Sequence, residues 1–308
     1  MSHQPVKSLR PYLMLAVIIL LWGMNYVVSR FLSGIPPIRV SGILYALFRY
    51  LLGALTMVVV MTYQKRGPKS ILQEIRPYKG ILLLSAFVSA MFVIFTHISA
   101  EYIPCGTTSI IINLCPIVVL LYGVTILKEN ITTKKILGFL LGLAGGVIFL
   151  WNSLILAEGF FIGILLALGG MFAWAAYTIT LHYLEGADRY IVMTVKHTTS
   201  TIMIVPFIIL MMMDGITLIL IWDAISILGL AFAGILASGL AYLLYFAAIE
   251  ILGAPKASSF LFLVPFVSVA GDFILGEPPT VITLLAGITA IIGVGLIKMS
   301  DSQDVEDS

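Results

Sequence analysis

The chain has 308 residues, 60% hydrophobic and 10% charged, with a net charge of +2. A soluble domain carries about 25% charged residues, so this chain has too little charge to coat a globular surface in water, and its balance is too small to point to a nucleic-acid partner. Lipid is the solvent that fits, and the expected class is an all-α integral membrane protein.

A spanning helix needs about 20 mostly apolar residues. Ten such runs are predicted along the chain, at 11–33, 41–63, 79–100, 104–127, 134–151, 159–183, 190–213, 222–249, 253–276 and 280–299. The first follows Lys7 and Arg10 as a signal peptide would, but the run over 12–32 is too long, lacks an A-x-A site and precedes many similar runs. It is read as a span. The fourth run carries both cysteines, Cys105 and Cys115, which on one helix would lie about 15 Å apart and could not form a disulfide. Short loops and tails are all that remain, which leaves no soluble domain.

Charge distribution orients this map. Lys7, Arg10, Lys65, Arg66, Lys69, Arg76, Lys79, Lys128, Lys134, Lys135, Arg189, Lys256 and Lys298 fall on one side, Arg39 alone falls on the other, and Arg30, Arg49 and Lys196 lie within runs. The positive-inside rule then places both termini in the cytoplasm and the chain in the cell membrane. Trp151 and Trp222 fall at external span ends, where indoles prefer to sit, whereas Trp22 and Trp174 fall mid-span. The sequon-like Asn130 lies on the cytoplasmic side of this map and is read as a chance match.

The runs repeat. Pro116 and Pro265 stand 149 residues apart, as do Ser109 and Ser258. After a one-residue slip the offset is 148 for Glu129 with Glu277, Gly138 with Ala286, Gly142 with Ala290 and Gly145 with Gly293. Arg49 matches Lys196 at 147, and Trp22 matches Trp174 at 152. The expected organisation is two five-helix units, residues 1–152 and 153–300, with an acidic cytoplasmic tail at 301–308. Because five is odd, the units must be inverted in the membrane, the signature of secondary transporters whose site lies at the midplane between repeats. A proline in each matched run loosens its helix, which is tolerated where protein or a cavity re-satisfies the freed carbonyl.

The fragments LLWGMNYVVSRF, LFRYLLGAL and CPIVVLLYGVTILKENITTKKILGFLLGLAGGVIFL in the first half, with FAWAAYTITLHYL and LVPFVSVAGDFILGEPPTVITLLAGITAIIGVGLI in the second, resemble in order the EamA-type repeat of the drug/metabolite transporter superfamily. The resemblance covers nearly the whole chain. It implies a ten-helix fold and transport of small metabolites, often export of amino acids or drugs. Lysine at 196 stands where the first half has arginine, which leaves an anion-binding role less secure there.

Candidate substrate-binding residues follow from cost. On the first run Trp22, Asn25, Tyr26 and Ser29 share a face by i, i+3, i+4, i+7 spacing, and Trp174, Tyr177 and Thr178 repeat its start on the sixth. Ser109, Asn113 and Pro116 share a face of the fourth run, Ser258, Phe262 and Pro265 one of the ninth, and Ser238, Tyr242 and Tyr245 one of the eighth. Such residues also serve as packing glue between helices. Arg49 and Lys196 cost about 2.5–3.5 kcal/mol each near the bilayer centre on insertion scales, so they face protein or water, either bonding carbonyls or a partner acid, or holding an anionic group. Arg30, near a span end, is expected to snorkel. His97, His197 and Asp272 are titratable and serve either as proton relays, with protons the candidate coupling ion, or as satisfied interior groups. Gly138, Gly142 and Gly146 make a G-x-x-x-G face for close helix packing.

No HExxH, G-x-S-x-G or P-loop pattern occurs, so no metal, cofactor or ATP-driven step is expected of the chain alone. The leading expectation is a secondary carrier for a small polar or amphipathic metabolite, an amino acid or related compound. An intramembrane enzyme acting on lipid and a passive channel are the alternatives.

Overall fold

The structure, a computed structural model, describes residues 9–65, 68–128, 132–153, 159–184, 186–252, 257 and 260–306. In chain order the helices are α1 (Arg10–Ser33), α2 (Gly42–Tyr63), the short α3 (Pro68–Ile75), α4 (Lys79–Tyr102), α5 (Cys105–Ile112), α6 (Cys115–Tyr122) and α7 (Thr133–Ser153). The second half has α8 (Phe160–His182), α9 (Arg189–Met213), α10 (Ala224–Ala231), α11 (Ala241–Leu252), α12 (Val264–Ile274) and α13 (Val281–Glu306). Among the described residues two π-helical segments continue neighbouring helices, Gly123–Leu127 after α6 and Phe232–Leu240 between α10 and α11. Among the described residues the one β contact is an isolated antiparallel bridge between Val40 and Leu220.

Among the described residues seven helical stretches are long and apolar enough to cross a membrane: Arg10–Ser33, Gly42–Tyr63, Gln73–Tyr102, Cys105–Leu127, Phe160–His182, Arg189–Met213 and Ala224–Leu252. Val264–Ile274 and Val281–Ile297 are shorter apolar helices. Side chains are distributed for lipid. Leu20, Val59, Phe172, Leu210 and Leu285 point outward, while Ser29, Ser89, Thr96, His97 and Lys196 are buried. The chain is a multi-pass membrane protein. The helix α13 carries residues 301–306 as its continuation, so this part of the expected tail is helical.

Helix α1 packs on α11 and α12, and α4 packs on α8 and α9. Helix α2 lies between α9 and the Phe232–Leu240 segment, α5 packs on α12 and α8, and α6 packs on α8. The helices α7 and α13 pair closely because glycine lets their backbones touch. A Cβ at Gly293 would lie 2.5 Å from Gly142 N and 2.6 Å from Gly138 O. The expected glycine face is split between two neighbours, since Gly146 meets Leu114 of the α5–α6 break rather than α13.

That break sits at Asn113 and Leu114, and α6 restarts with Pro116 as its second residue. Pro265 is likewise the second residue of α12, after the 3-10 turn Phe260–Leu263. A proline costs nothing there, because N–H groups in the first turn have no intrahelical acceptor.

Arg30 does not snorkel. Its side chain is buried because a carboxylate meets it: Nε donates to Glu277 Oε2 at 2.8 Å, Nη2 to Oε1 at 2.6 Å, and Nη1 to the Ala100 carbonyl at 2.9 Å. Arg39 pairs with Asp223 nearby in the map. Ser41 N donates to Ile219 O, and Ile219 N to Ser41 Oγ, both at 2.8 Å, which ties the α1–α2 loop to the α9–α10 loop. Asp272 is also satisfied: Gly106 N donates to Oδ1 and Oδ2 at 3.1 and 3.0 Å, and Cys105 Sγ to Oδ1 at 2.9 Å.

Candidate functional site

The buried basic residues of the two halves meet. Arg49 comes from α2 and Lys196 from α9, helices that pack side by side. Both stand over the ring of Tyr50, with Arg49 Cζ at 5.9 Å and Lys196 Nζ at 5.1 Å from its centroid. Lys196 Nζ also lies 5.1 Å from the Tyr177 centroid and 4.6 Å from that of Tyr242. Lys196 is 0% exposed and its Nζ makes no hydrogen bond. A desolvated cation–π contact is worth about 2 kcal/mol or more, against several kcal/mol for taking a charge out of water. The tyrosine cage thus offsets much of the cost without giving the ammonium any acceptor.

Arg49 is held differently. Its Nε donates to Ser238 Oγ at 3.0 Å and its Nη1 to His97 Nε2 at 2.9 Å. A guanidinium can only donate, so His97 Nε2 is the accepting nitrogen. Its Nδ1–H then donates to Ser29 Oγ at 2.8 Å. His197 Nδ1 lies 2.9 Å from the Met193 carbonyl, which can only accept, so its Nε2 carries the lone pair; that atom is buried and makes no hydrogen bond. The His197 ring packs on Tyr50 and Tyr242 at 4.9 and 5.5 Å, the same rings that enclose Lys196.

Aromatic residues close the sides. Trp22 packs on Tyr242 and Tyr245 at 5.3 and 5.4 Å, and its Nε1 donates to the Ala237 carbonyl at 2.9 Å. Ala237 and Ser238 both lie in the π-helical Phe232–Leu240 segment, whose i→i+5 pattern departs from the α ladder and is found often at functional sites. Trp174 stacks on Phe92 and Tyr177 at 4.7 and 5.1 Å. Asn25 joins through Tyr45, whose hydroxyl donates to Asn25 Oδ1 at 3.0 Å and whose ring lies 4.6 Å from His97.

The structure therefore gathers Trp22, Asn25, Arg49, His97, Trp174, Tyr177, Lys196, Tyr242 and Tyr245 around one centre. Tyr26, half-buried, packs on the same core cluster that holds Tyr50 and Trp174, within electrostatic reach of Arg49 and Tyr242. Asn113 stands elsewhere: its Nδ2 donates back to Ser109 O at 2.9 Å, and it lines a groove with Leu114, Ala290 and Val294, while the Ser109 hydroxyl is buried and makes no hydrogen bond. Ser258 lies outside the described residues, as does the side chain of Phe262. Tyr45 and Tyr50 are not singled out from sequence, and His197 enters there as a titratable candidate relay rather than as a substrate contact. The i, i+4 relation of Tyr45 to Arg49 and the adjacency of His197 to Lys196 are the signals that could have found them.

Among the described residues no carboxylate bonds to this centre. Glu101 accepts from Gly42 N, and Asp272, Glu277 and Asp223 are engaged as described above. Nor do the described residues hold any group of three or more His, Cys, Asp or Glu suited to a metal ion.

Comparison with known proteins agrees with this architecture. An uncharacterized transporter of Bacillus subtilis (strain 168), YvbV, is 29% identical over 302 residues, covering 92% of this chain and 89% of that one. A probable terminal-alkyne amino-acid exporter of Streptantibioticus cattleyicolor is 22% identical over 282 residues, covering 90% and 92% of the two chains. A solved crystal structure superposes with a TM-score of 0.65 at 16% identity, over 94% of this chain and 98% of the other, which is a likeness of fold. The model of the EamA-like transporter family matches residues 9–151 and again 161–299. The chain belongs to the EamA-like transporter family.

Proposed function

We propose that this transporter is a secondary carrier that moves a small polar or amphipathic metabolite, an amino acid or related compound, by alternating access, with export the favoured direction. The observation that carries the reading is the meeting of Arg49 and Lys196, matched positions of the two halves, at the single ring of Tyr50. A site shared by two inverted units is what a carrier needs, because rocking one unit against the other exposes it to each side in turn.

Further support comes from reciprocal packing. In the ten-span numbering, the third span contacts the sixth and seventh, and the eighth contacts the first and second. The second pairs with the seventh, the fourth with the ninth and the fifth with the tenth, as a two-fold axis in the membrane plane requires. The family model matching twice, once in each half, fits two units at 1–152 and 153–300. The amino-acid exporter among the relatives favours that substrate class and direction. The basic-residue asymmetry favours cytoplasmic termini and the cell membrane. Protons are the coupling ion best suited to a centre with two imidazoles.

Counterflow is the test. Proteoliposomes preloaded with unlabelled amino acid should take up the labelled compound faster than empty ones, and the rate should saturate. Flux that rises linearly with concentration and ignores preloading would make the protein a channel instead.

A further inference from the structure

The centre has a charge problem that its own residues leave open. Lys196 and Arg49 are buried together with His97 and His197, and among the described residues no carboxylate pairs with any of them. The described acids nearest along the spans are already used, Asp272 on the α5 N-terminus and Glu277 on Arg30. Burial of a positive charge without an anion is costly unless something supplies one. Two atoms at the centre have no hydrogen-bond partner, the donor Lys196 Nζ and the acceptor His197 Nε2. They share the walls Tyr50 and Tyr242.

We infer that the substrate is a net anion: a carboxylate that binds Lys196 and carries a neutral donor, such as a hydroxyl, for His197 in place of a charged ammonium. The inference rests on the carrier reading and narrows its substrate class. A zwitterionic amino acid would bring its ammonium among Arg49 and Lys196 with no carboxylate from the protein to receive it. The tyrosine faces able to receive a cation are occupied by Lys196 itself. A 2-hydroxy acid has the same carbon body and presents only the groups that the open atoms call for. Arg49 is less free to serve as the receptor, since Ser238 and His97 already hold two of its nitrogens.

The test uses compounds that share one body and differ in charge: 3-phenyllactate, phenylalanine and phenethylamine, with a second set built on 2-hydroxy-4-methylpentanoate, leucine and isopentylamine. Binding to the purified full chain in detergent is measured by calorimetry, and flux is measured in proteoliposomes. In at least one set the hydroxy acid should bind about tenfold or more tighter than its amino acid, and the amine weakest. In Lys196→Met, which keeps the length of the side chain without its charge, the advantage of the hydroxy acid should vanish. In Lys196→Arg, a second variant that guards against misfolding of the first, the advantage should persist at least in part.

Equal or tighter binding of the amino acid in both sets overturns the inference and leaves the carrier reading standing. So does binding of the hydroxy acid that survives unchanged in Lys196→Met. Failure of both hydroxy acids to bind also overturns it. Absence of saturable flux for every compound, with or without binding, counts instead against the carrier reading.

Discussion

Arg30 and Glu277, 247 residues apart in sequence, form a two-pronged ion pair in which Nε and Nη2 of the guanidinium each donate to a different carboxylate oxygen. The pair joins the end of α1 to the loop before α13, and the third prong reaches α4 through Ala100. Glu277→Gln leaves a mostly buried guanidinium half-served. Breaking a fully buried pair costs about 3–5 kcal/mol, and an exposed one about 0–1 kcal/mol. With side-chain exposures of 9% and 27%, the loss should be about 2 kcal/mol between those limits. Thermal unfolding of the purified variant checks it, and the swap of both residues should recover part of the loss.

Arg49→Lys keeps the charge of Arg49 and loses its fork. Lysine cannot reach Ser238 and His97 together in the planar arrangement that the guanidinium holds. Uptake by reconstituted Arg49→Lys should fall about tenfold or more, close to that of Arg49→Gln, since each buried polar partner left open costs about 1–3 kcal/mol. Full transport by the lysine variant would mean that charge alone is needed at this position.

Intrinsic fluorescence should report occupancy of the centre. Trp22 and Trp174 line it, whereas Trp222 is exposed and packs on Phe48. Substrate should quench emission in the parent protein, less so in Trp22→Phe and Trp174→Phe, and undiminished in Trp222→Phe. Equal quenching in all of them would remove the two indoles from the site.

Gly293→Leu should be damaging although it lies far from the centre. Its Cβ would come within 2.6 Å of the α7 backbone at both Gly138 and Gly142, and backbone cannot step aside as a flexible side chain does. Size-exclusion chromatography should show loss of the folded monodisperse peak, while Gly295→Leu, which would have no atom within 4 Å of its Cβ, should elute normally.

Local sequence encodes some of these features and not others. The helices and their membrane character are legible because long apolar runs have few other uses, and the ordered fragments in both halves are enough to identify the family. Arg49, Lys196 and His97 stand out because charge inside such a run is expensive. Tyr50 does not, because a tyrosine in an apolar helix costs little and only the packing of α2 on α9 makes it the ring where both cations meet. Arg30 defeats the sequence reading because snorkelling is a property of one helix, whereas its partner arrives from the far end of the chain. Asn113 looks like a site residue on cost alone, and the break in its helix lets it spend its amide on Ser109 instead.

The π-helical turn at Gly123–Leu127 lies where the two halves differ in length. The offset between the halves is 149 residues at Pro116 and Pro265 but 148 at Glu129 and Glu277, so the first half holds one residue more in this interval. That interval contains the turn. A helix that closes its bonds over five residues rather than four swallows an added residue without rotating the turns beyond it. The π-helical turn thus coincides with the one-residue difference between the halves, and removing Val124 should close it into ordinary α-helix that still ends at the left-handed Lys128.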